Sequence, residues 1–392
     1  MPFQERSIVS EREEFCRLAS GEGANVRELC RRFGIAPATG YLWLGRWRAE
    51  GRSGLTDRSR RPLGSPTRTP PETEARVLEL RAVHPAWGGR KIRRVLEVDG
   101  HAAPAASTVT AILRRHGRLD GPRSGEPRGT LRFEHEAPND LWQMDFKGHV
   151  AMHDGRCHPL TVIDDHSRYA LEIGACGDER ETTVRARLEA VFRRHGLPRR
   201  ILADNGPPWG TAGSGARHTR LTVWLLDLGV ETVHGRPYHP QTQGKDERFH
   251  RTLKAEVLDG RLFDDLDAAQ TAFDHWREIY NARRPHEALG LATPASRYRM
   301  SHRAMPTAIT PPDYDGEAIV RKVSSEASFG FRNRIFACSK AFVGRRIALR
   351  PTEADGVFHI CYRSHVIGSI DLNQPRKSVQ DVSEHVFGMS PV

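Results

Sequence analysis

The chain has 392 residues, more than one ordinary hydrophobic core can organise, which implies roughly two to four domains. Its 60 Lys and Arg against 49 Asp and Glu leave a net charge of +11, which favours a polyanionic partner. No run approaches the ~20 apolar residues of a membrane span, no signal core follows Met1, and the six cysteines (Cys16, Cys30, Cys157, Cys176, Cys338, Cys361) form no C-x-x-C pair, so a membrane protein, a disulfide framework and a structural zinc site give way to a soluble chain of the reducing cytoplasm.

The excess base is N-terminal. Residues 1–130 carry 24 basic and 15 acidic side chains, residues 131–300 carry 24 and 25, and residues 301–392 carry 12 and 9. In chain order, Val26, Leu29, Cys30 and Phe33 fall on one helical stripe, Gly34-Ile35 interrupts it, and a second helix carries Tyr41, Leu42, Trp43 and Trp47. Helix, Gly-containing turn and helix at this spacing make residues 1–55 a helix-turn-helix unit, against the plainer alternative of a helical hairpin. Gly40 and Gly45 inside the second helix, and Ala36 in place of a capping Ser or Thr, count against it. Residues 56–71, rich in Pro, Arg and Ser, are an extended linker that either tracks phosphates or merely tethers. A second helical unit over 72–117 carries Val77 and Leu80, then Ile92, Val95 and Leu96, then Val109, Ile112 and Leu113 after an expected N-cap at Ser107. The candidate phosphate contacts in this half are Arg46, Arg48, Arg60, Arg61, Arg114 and Arg115.

After a second Gly- and Pro-rich linker (118–138), the period changes. Residues 141–146, 160–163 and 169–173 read as three strands; helix 182–195, strand 200–203, helix 221–228, strand 231–233 and a helix from about Lys245 to Leu258 follow, so 139–300 is an α/β domain. Beyond Pro306 (domain 301–392), short strand-like runs at 334–337, 346–349, 357–362 and 365–372 suggest a small all-β unit.

Three carboxylates carry the chemistry. Asp145 stands inside the first strand, where an apolar residue is the ordinary choice, and Asp204 ends the strand Ile201-Leu202-Ala203 before the turn residues Asn205-Gly206. Glu247 opens a helix whose apolar face is Phe249, Leu253 and Val257, and it shares a second face with Arg251 and Lys254. Two Asp and one Glu supply the oxygen ligands that hard divalent cations need for in-line displacement at phosphorus, while the two bases hold the DNA backbone. Taken singly, each acid is as well explained by a turn, a cap or a solvated helix face.

Five motifs in order, LWQMDFKG around Asp145, VIDDHSRYAL at Val162–Leu171, ILADNGPPW around Asp204, PYHPQTQGKDERFHRTLK from Pro237 to Lys254, and YNARRPHEALG from Tyr280 to Gly290, make roughly Asn139–Tyr298 resemble the integrase-core DDE transposases of bacterial insertion sequences, relatives of retroviral integrases. The resemblance implies a multidomain chain: N-terminal all-α helix-turn-helix modules that bind transposon ends, a central α/β RNase H-like integrase core, and a small all-β C-terminal domain. It implies Asp145, Asp204 and Glu247 as catalytic, metal-holding triad, two Mg2+ ions with Mn2+ as substitute, and Asn205, His239, Gln241, Gln243, Gly244, Arg251 and Lys254 in or near the site. The partners implied are double-stranded DNA, as terminal inverted repeats and target, and at least a homodimer. Two departures stand out: 42 residues separate Asp204 from Glu247, a longer interval than is usual, with Gly210–Arg217 as the insertion, and the His/Cys zinc module of retroviral integrases has no counterpart.

Other candidates have plainer explanations. Asp164 and Asp165 fit a hairpin turn, His149, His153 and His158 fit surface positions, and Trp43, Trp47 and Trp276 fit the core. The rival functions are a DNA-binding regulator descended from a transposase and a ribonuclease acting on RNA–DNA hybrids.

Overall fold

The computed structural model describes residues 7–59, 68–119, 134–210, 218–234, 244–316, 318–375 and 379–384. The chain forms two compact units, Met1–Arg68 and Thr69–Val392.

In the first unit, α1 (Ile8–Ala19), α2 (Val26–Arg32) and α3 (Pro37–Glu50) enclose Phe15, Cys16, Cys30, Trp43 and Leu44. The sequence reading found α2, the turn and α3 but missed α1, whose inward face is only Phe15, Cys16 and Ala19 among charged neighbours. Ala36 caps α3 without a side-chain bond; Pro37 in the first turn removes one donor that would otherwise need a partner. Gly40 is required: a Cβ there would sit 2.4 Å from Cys30 Sγ and 2.8 Å from Phe15 Cζ.

The second unit starts with α4 (Pro71–Val83), α5 (Gly89–Val98) and α6 (Ala106–Arg115), packed around Val77, Trp87, Ile92, Leu96, Val109 and Ile112. Ser107 is not the cap of α6, because the helix begins one residue earlier and Ala105 holds the cap position with no side-chain bond.

The central sheet contains β1 (Leu141–Phe146), β2 (Val150–Ala151), β3 (Arg156–Asp164), β4 (Ala170–Cys176), β5 (Arg200–Ala203) and β6 (Glu231–His234), in the order β4-β3-β1-β5-β6, with β2 paired to the start of β3. β1, β3 and β4 are antiparallel neighbours, whereas β5 and β6 run parallel to β1. One face packs on α7 (Glu181–His195) and α8 (Arg220–Asp227), the other on α9 (Gly244–Leu253) and α10 (Leu266–Ala282). Alternation along β1 assigns its side chains: Trp142 and Met144 enter the α7/α8 core, so Gln143 and Asp145 face α9.

α10, absent from the sequence reading, closes the edge of β4. Gln270 accepts from Ala175 N (2.8 Å) and donates to the Ile173 carbonyl (3.0 Å), Arg277 donates to the Leu171 carbonyl (2.9 Å), and Asn281 accepts from Ala170 N and donates to its carbonyl. A strand edge under a helix has no water to bond, so side chains supply the ladder. Gln270→Ala should therefore lower stability by about 1–3 kcal/mol through two stranded backbone groups, read as a lower chemical-denaturation midpoint; an unchanged midpoint would refute this role. α10 also holds the second helical unit: Arg283 grips Asp99 with two bonds (2.9 and 3.1 Å), and Ile279 packs on that unit's core.

The last region is all-β. β7 (Ile319–Lys322), β10 (Arg346–Pro351), β11 (Val357–Tyr362), β12 (His365–Asp371) and β14 (Ser383–Glu384) form one sheet; β8 (Ser328–Phe331), β9 (Arg334–Ala337) and β13 (Gln380–Asp381) form another. Their shared core takes in Val223 and Leu226 of α8, and the buried Asp227 accepts from Tyr362 Oη (2.6 Å) and pairs with Arg345 and Arg363. Helical N-terminus, α/β centre and all-β C-terminus are the classes expected from the sequence. The sequence pattern does not mark β2, β7, β8, β13 or β14.

Candidate active site

Two of the three carboxylates meet through strand register. Leu141, Trp142 and Gln143 pair in parallel with Arg200, Ile201 and Leu202, and the same offset continued along both strands sets Asp145 level with Asp204. Both stand where parallel strands end and the backbone opens to a ligand. Asp204 is exposed, and its Oδ1 accepts from Gly206 N in the turn, while His234 Nδ1 donates to its carbonyl (2.8 Å). Asp145 is half-buried; burial, with the charge of Asp204 among the further causes, pushes its carboxyl up to about 6.

α9 adds a residue that the sequence reading passed over. His250, only 8% exposed, lies against Thr161, the β3 partner of Asp145: Nε2 is 2.8 Å from Thr161 Oγ1 and Nδ1 is 3.9 Å from Asp145 Oδ2. The Thr161 hydroxyl donates its one proton to the Asp145 carbonyl (3.0 Å), so His250 Nε2 must be the donor in the second bond. Burial depresses the imidazole to about 4, leaving it neutral, and its bare Nδ1 then faces a carboxylate oxygen. Two acceptors turned toward each other call for a proton or a cation nearby.

Asp246 also points inward. It is 2% exposed, its Oδ1 has no hydrogen-bond partner among the described residues, and burial together with Asp145 and Asp165 holds its carboxyl well above the usual range. Its neighbour Lys245 reaches Asp165, which is fully buried and also accepts from Gln143 Nε2 (2.6 Å) and His135 N (2.9 Å). Asp165 thus ties β1, two residues before Asp145, to α9, two residues before Glu247. Asp164 does serve the expected turn, accepting from Ser167 N (2.8 Å), Ser167 Oγ (2.5 Å) and Asn139 N (2.7 Å). Asp165 does more than a turn requires. The signal was present in the helical period: Asp246, Phe249, His250, Leu253 and Val257 recur as one inward face, two of whose five members are polar.

Glu247 lies on the exposed side of α9 with Arg251, and Lys254 is exposed in the π turn Lys254–Leu258 that extends the helix. Among the described residues, no group of three or more His, Cys, Asp or Glu is gathered closely enough to hold a metal ion. Asp145 and Asp204 are brought together; Glu247 is not gathered with them. Asn205 is exposed in the turn after Asp204, whereas His239, Gln241, Gln243, Arg60 and Arg61 lie outside the described residues. Arg48 and Arg114 are exposed, Arg46 lies over the Trp43 ring (4.9 Å), and Arg115 is paired with Glu74 (2.5 Å). His158 bonds Glu179 (2.8 Å), and Trp43 and Trp276 are buried in cores. The YNARRPHEALG motif sits away from the acids: Tyr280 packs on Phe249, Asn281 serves β4, and Arg284 makes a buried ion pair (2.9 Å) with Glu256 of the π turn.

Residues 135–240 and 228–294 match models of the integrase core domain, and 318–378 match a model of the IS481 family transposase C-terminal domain. These matches set integrase core domains and an insertion-sequence transposase C-terminal domain along the chain, the family that its motifs resemble. Upstream, 11–62 match a helix-turn-helix domain and 39–113 a homeodomain-like domain. The chain is 27% identical to the uncharacterized 39.2 kDa protein of insertion element IS476 from Xanthomonas euvesicatoria, over 62% of this chain and 69% of that one. It is also 27% identical to the 31.7 kDa protein of insertion element IS407 from Burkholderia multivorans, over 59% and 81%. Among solved structures, the simian T-cell lymphotropic virus intasome in complex with PP2A regulatory subunit B56 gamma is similar over 76% of this chain and 100% of the matched chain, with 18% identity and a TM-score of 0.37. No helix among the described residues is long and apolar enough to cross a membrane.

Proposed function

We propose that this chain is a transposase that binds the terminal inverted repeats of its element, cleaves the element's ends and joins the freed 3′-hydroxyls to target DNA. The observation that carries this reading is the level placement of Asp145 and Asp204 at the ends of parallel strands, beside the bare Nδ1 of His250. The donor set fits hard divalent cations: two carboxylates set level, of which Asp145 is raised by burial and, to a smaller extent, by the charge of Asp204. Asp145 and Asp204 would hold Mg2+, with Mn2+ as substitute, and Glu247, not gathered with them here, would have to join them to complete a two-ion site, whose cations would activate the attacking oxygen and neutralise the leaving one. The protein's own part is positional. Arg251 and Lys254 are exposed on the side of α9 that carries Glu247, where they would hold phosphates, and Asn205 is exposed in the turn after Asp204. The helical units at 11–62 and 72–117 bind the ends, and since two ends must be joined, at least two copies assemble on DNA.

The exposure of Glu247 favours one second reading, a DNA-binding regulator that retains the core without turnover. Both readings give salt-sensitive DNA binding. Incubating the protein with duplexes from the element's flanks, with and without Mg2+, separates them: cation-dependent nicking and joining supports the transposase, and binding without either product supports the regulator.

Asp145 also gives a pH test. Its folded carboxyl holds a proton up to about 6 against 3.8 ordinarily, so its contribution to stability is complete below the ordinary value and disappears as pH rises through 6. A cation takes the proton's place above that range. Mg2+ should raise the melting temperature clearly at about pH 7.5 and little at about pH 5; equal shifts at both would rule out Asp145 as a ligand.

A further inference from the structure

We infer that the outer face of α3 is a base-reading surface for thymine methyl groups in a major groove, an inference that rests on the DNA-binding part of the proposed function. Taking 100° per residue, Ala38, Tyr41, Leu42, Gly45 and Ala49 line one strip of α3, opposite the inward Gly40, Trp43 and Leu44. The strip faces water: Tyr41 and Leu42 are 52% and 51% exposed, and Ala38, Gly45 and Ala49 are exposed as well. Arg46 and Arg48 stand roughly 80° to either side of it. An uncharged strip flanked by two basic residues, the exposed Arg48 and the half-buried Arg46 over Trp43, matches a groove floor between two phosphate backbones, and among base edges only thymine offers a methyl to apolar side chains. The strip is on the second helix of the helix-turn-helix, the one that enters the groove in that motif.

Gly45 points to the same occupant independently. Gly40 is explained by Cys30 and Phe15, but a Cβ on Gly45 would meet nothing within 4 Å, and its backbone is ordinary helix. A glycine in the middle of an exposed helix lowers stability without any return inside the chain. The return is outside it: a surface that approaches the backbone more closely than a methyl group allows. DNA at the groove floor is such a surface.

The test uses the full chain and a random-sequence duplex library. Selection should enrich a thymine-containing motif, and replacing those thymines with deoxyuridine, which removes only the methyl, should weaken binding about tenfold. Leu42→Ala should bind the thymine and deoxyuridine duplexes alike. Gly45→Ala should melt at a higher temperature than the parent yet bind the selected duplex about tenfold more weakly, a combination that rules out misfolding as the cause. Equal binding of thymine and deoxyuridine duplexes by the parent, or undiminished binding by Gly45→Ala, overturns the inference while leaving DNA binding intact. A Tyr41→Ser/Leu42→Ser variant that binds normally but loses self-association overturns it in favour of a protein interface. Failure to enrich any sequence overturns both the inference and the end-binding reading.

Discussion

Asp204→Asn is expected to reduce end cleavage and strand transfer by a thousandfold or more, while DNA binding and stability stay near those of the parent. The substitution isolates charge. Asn keeps an oxygen for the Gly206 N–H, and the bond from His234 goes to the backbone carbonyl, which the change leaves alone. The side chain is exposed, so no core contact is lost. What is lost is one of two level carboxylates, and a hard cation bound by one fewer anion supplies several kcal/mol less at the transition state; about 4 kcal/mol corresponds to a thousandfold. Gel-resolved cleavage and joining of a labelled element end, beside a binding assay on the same duplex, gives both readouts. Parental joining by Asp204→Asn would sink the assignment of the site.

The second large effect concerns Lys245 and Asp165. Lys245→Met leaves the fully buried Asp165 with the His135 N–H and Gln143 amide but without its cation, and losing one partner of a buried pair costs about 3–5 kcal/mol. Asp165→Asn combined with Lys245→Met should recover most of that stability, because an amide oxygen still accepts from Gln143 and no buried charge remains. Activity should not recover with it. The ion pair is what ties the first turn of α9, with Glu247, to β1, with Asp145, and a neutral pair no longer holds that spacing. Melting curves and cleavage rates for the two single variants and the double variant measure the two losses separately. If cleavage returns together with stability, the pair is structural support and has no part in positioning.

Each element that the sequence reading identified announced itself within a short window. The alternation of β1, the stripe of α2, the Gly34 turn and the apolar face of α9 depend only on local period and turn chemistry, and motif order alone pointed to the integrase core and to both aspartates. The inward face of α1 is sparse, whereas α10 carries an apolar face of Ala269, Phe273, Trp276 and Tyr280, and its polar residues show their purpose only against β4, whose edge Gln270, Arg277 and Asn281 complete.

Composition, period and motif order therefore determined the three-part architecture, the nucleic-acid chemistry and the placing of Asp145 within its strand and Asp204 at the end of its own. Tertiary structure alone decided which polar residues gather behind them. Asp165 looks like any turn aspartate, and Lys245, Asp246 and His250 like a solvated helix, until the sheet register and the rotation of α9 turn them inward. Burial then converts ordinary side chains into a neutral imidazole, a carboxyl held well above its usual range and a buried ion pair, because desolvation acts on a group's surroundings, and those surroundings come from segments roughly a hundred residues apart in the chain.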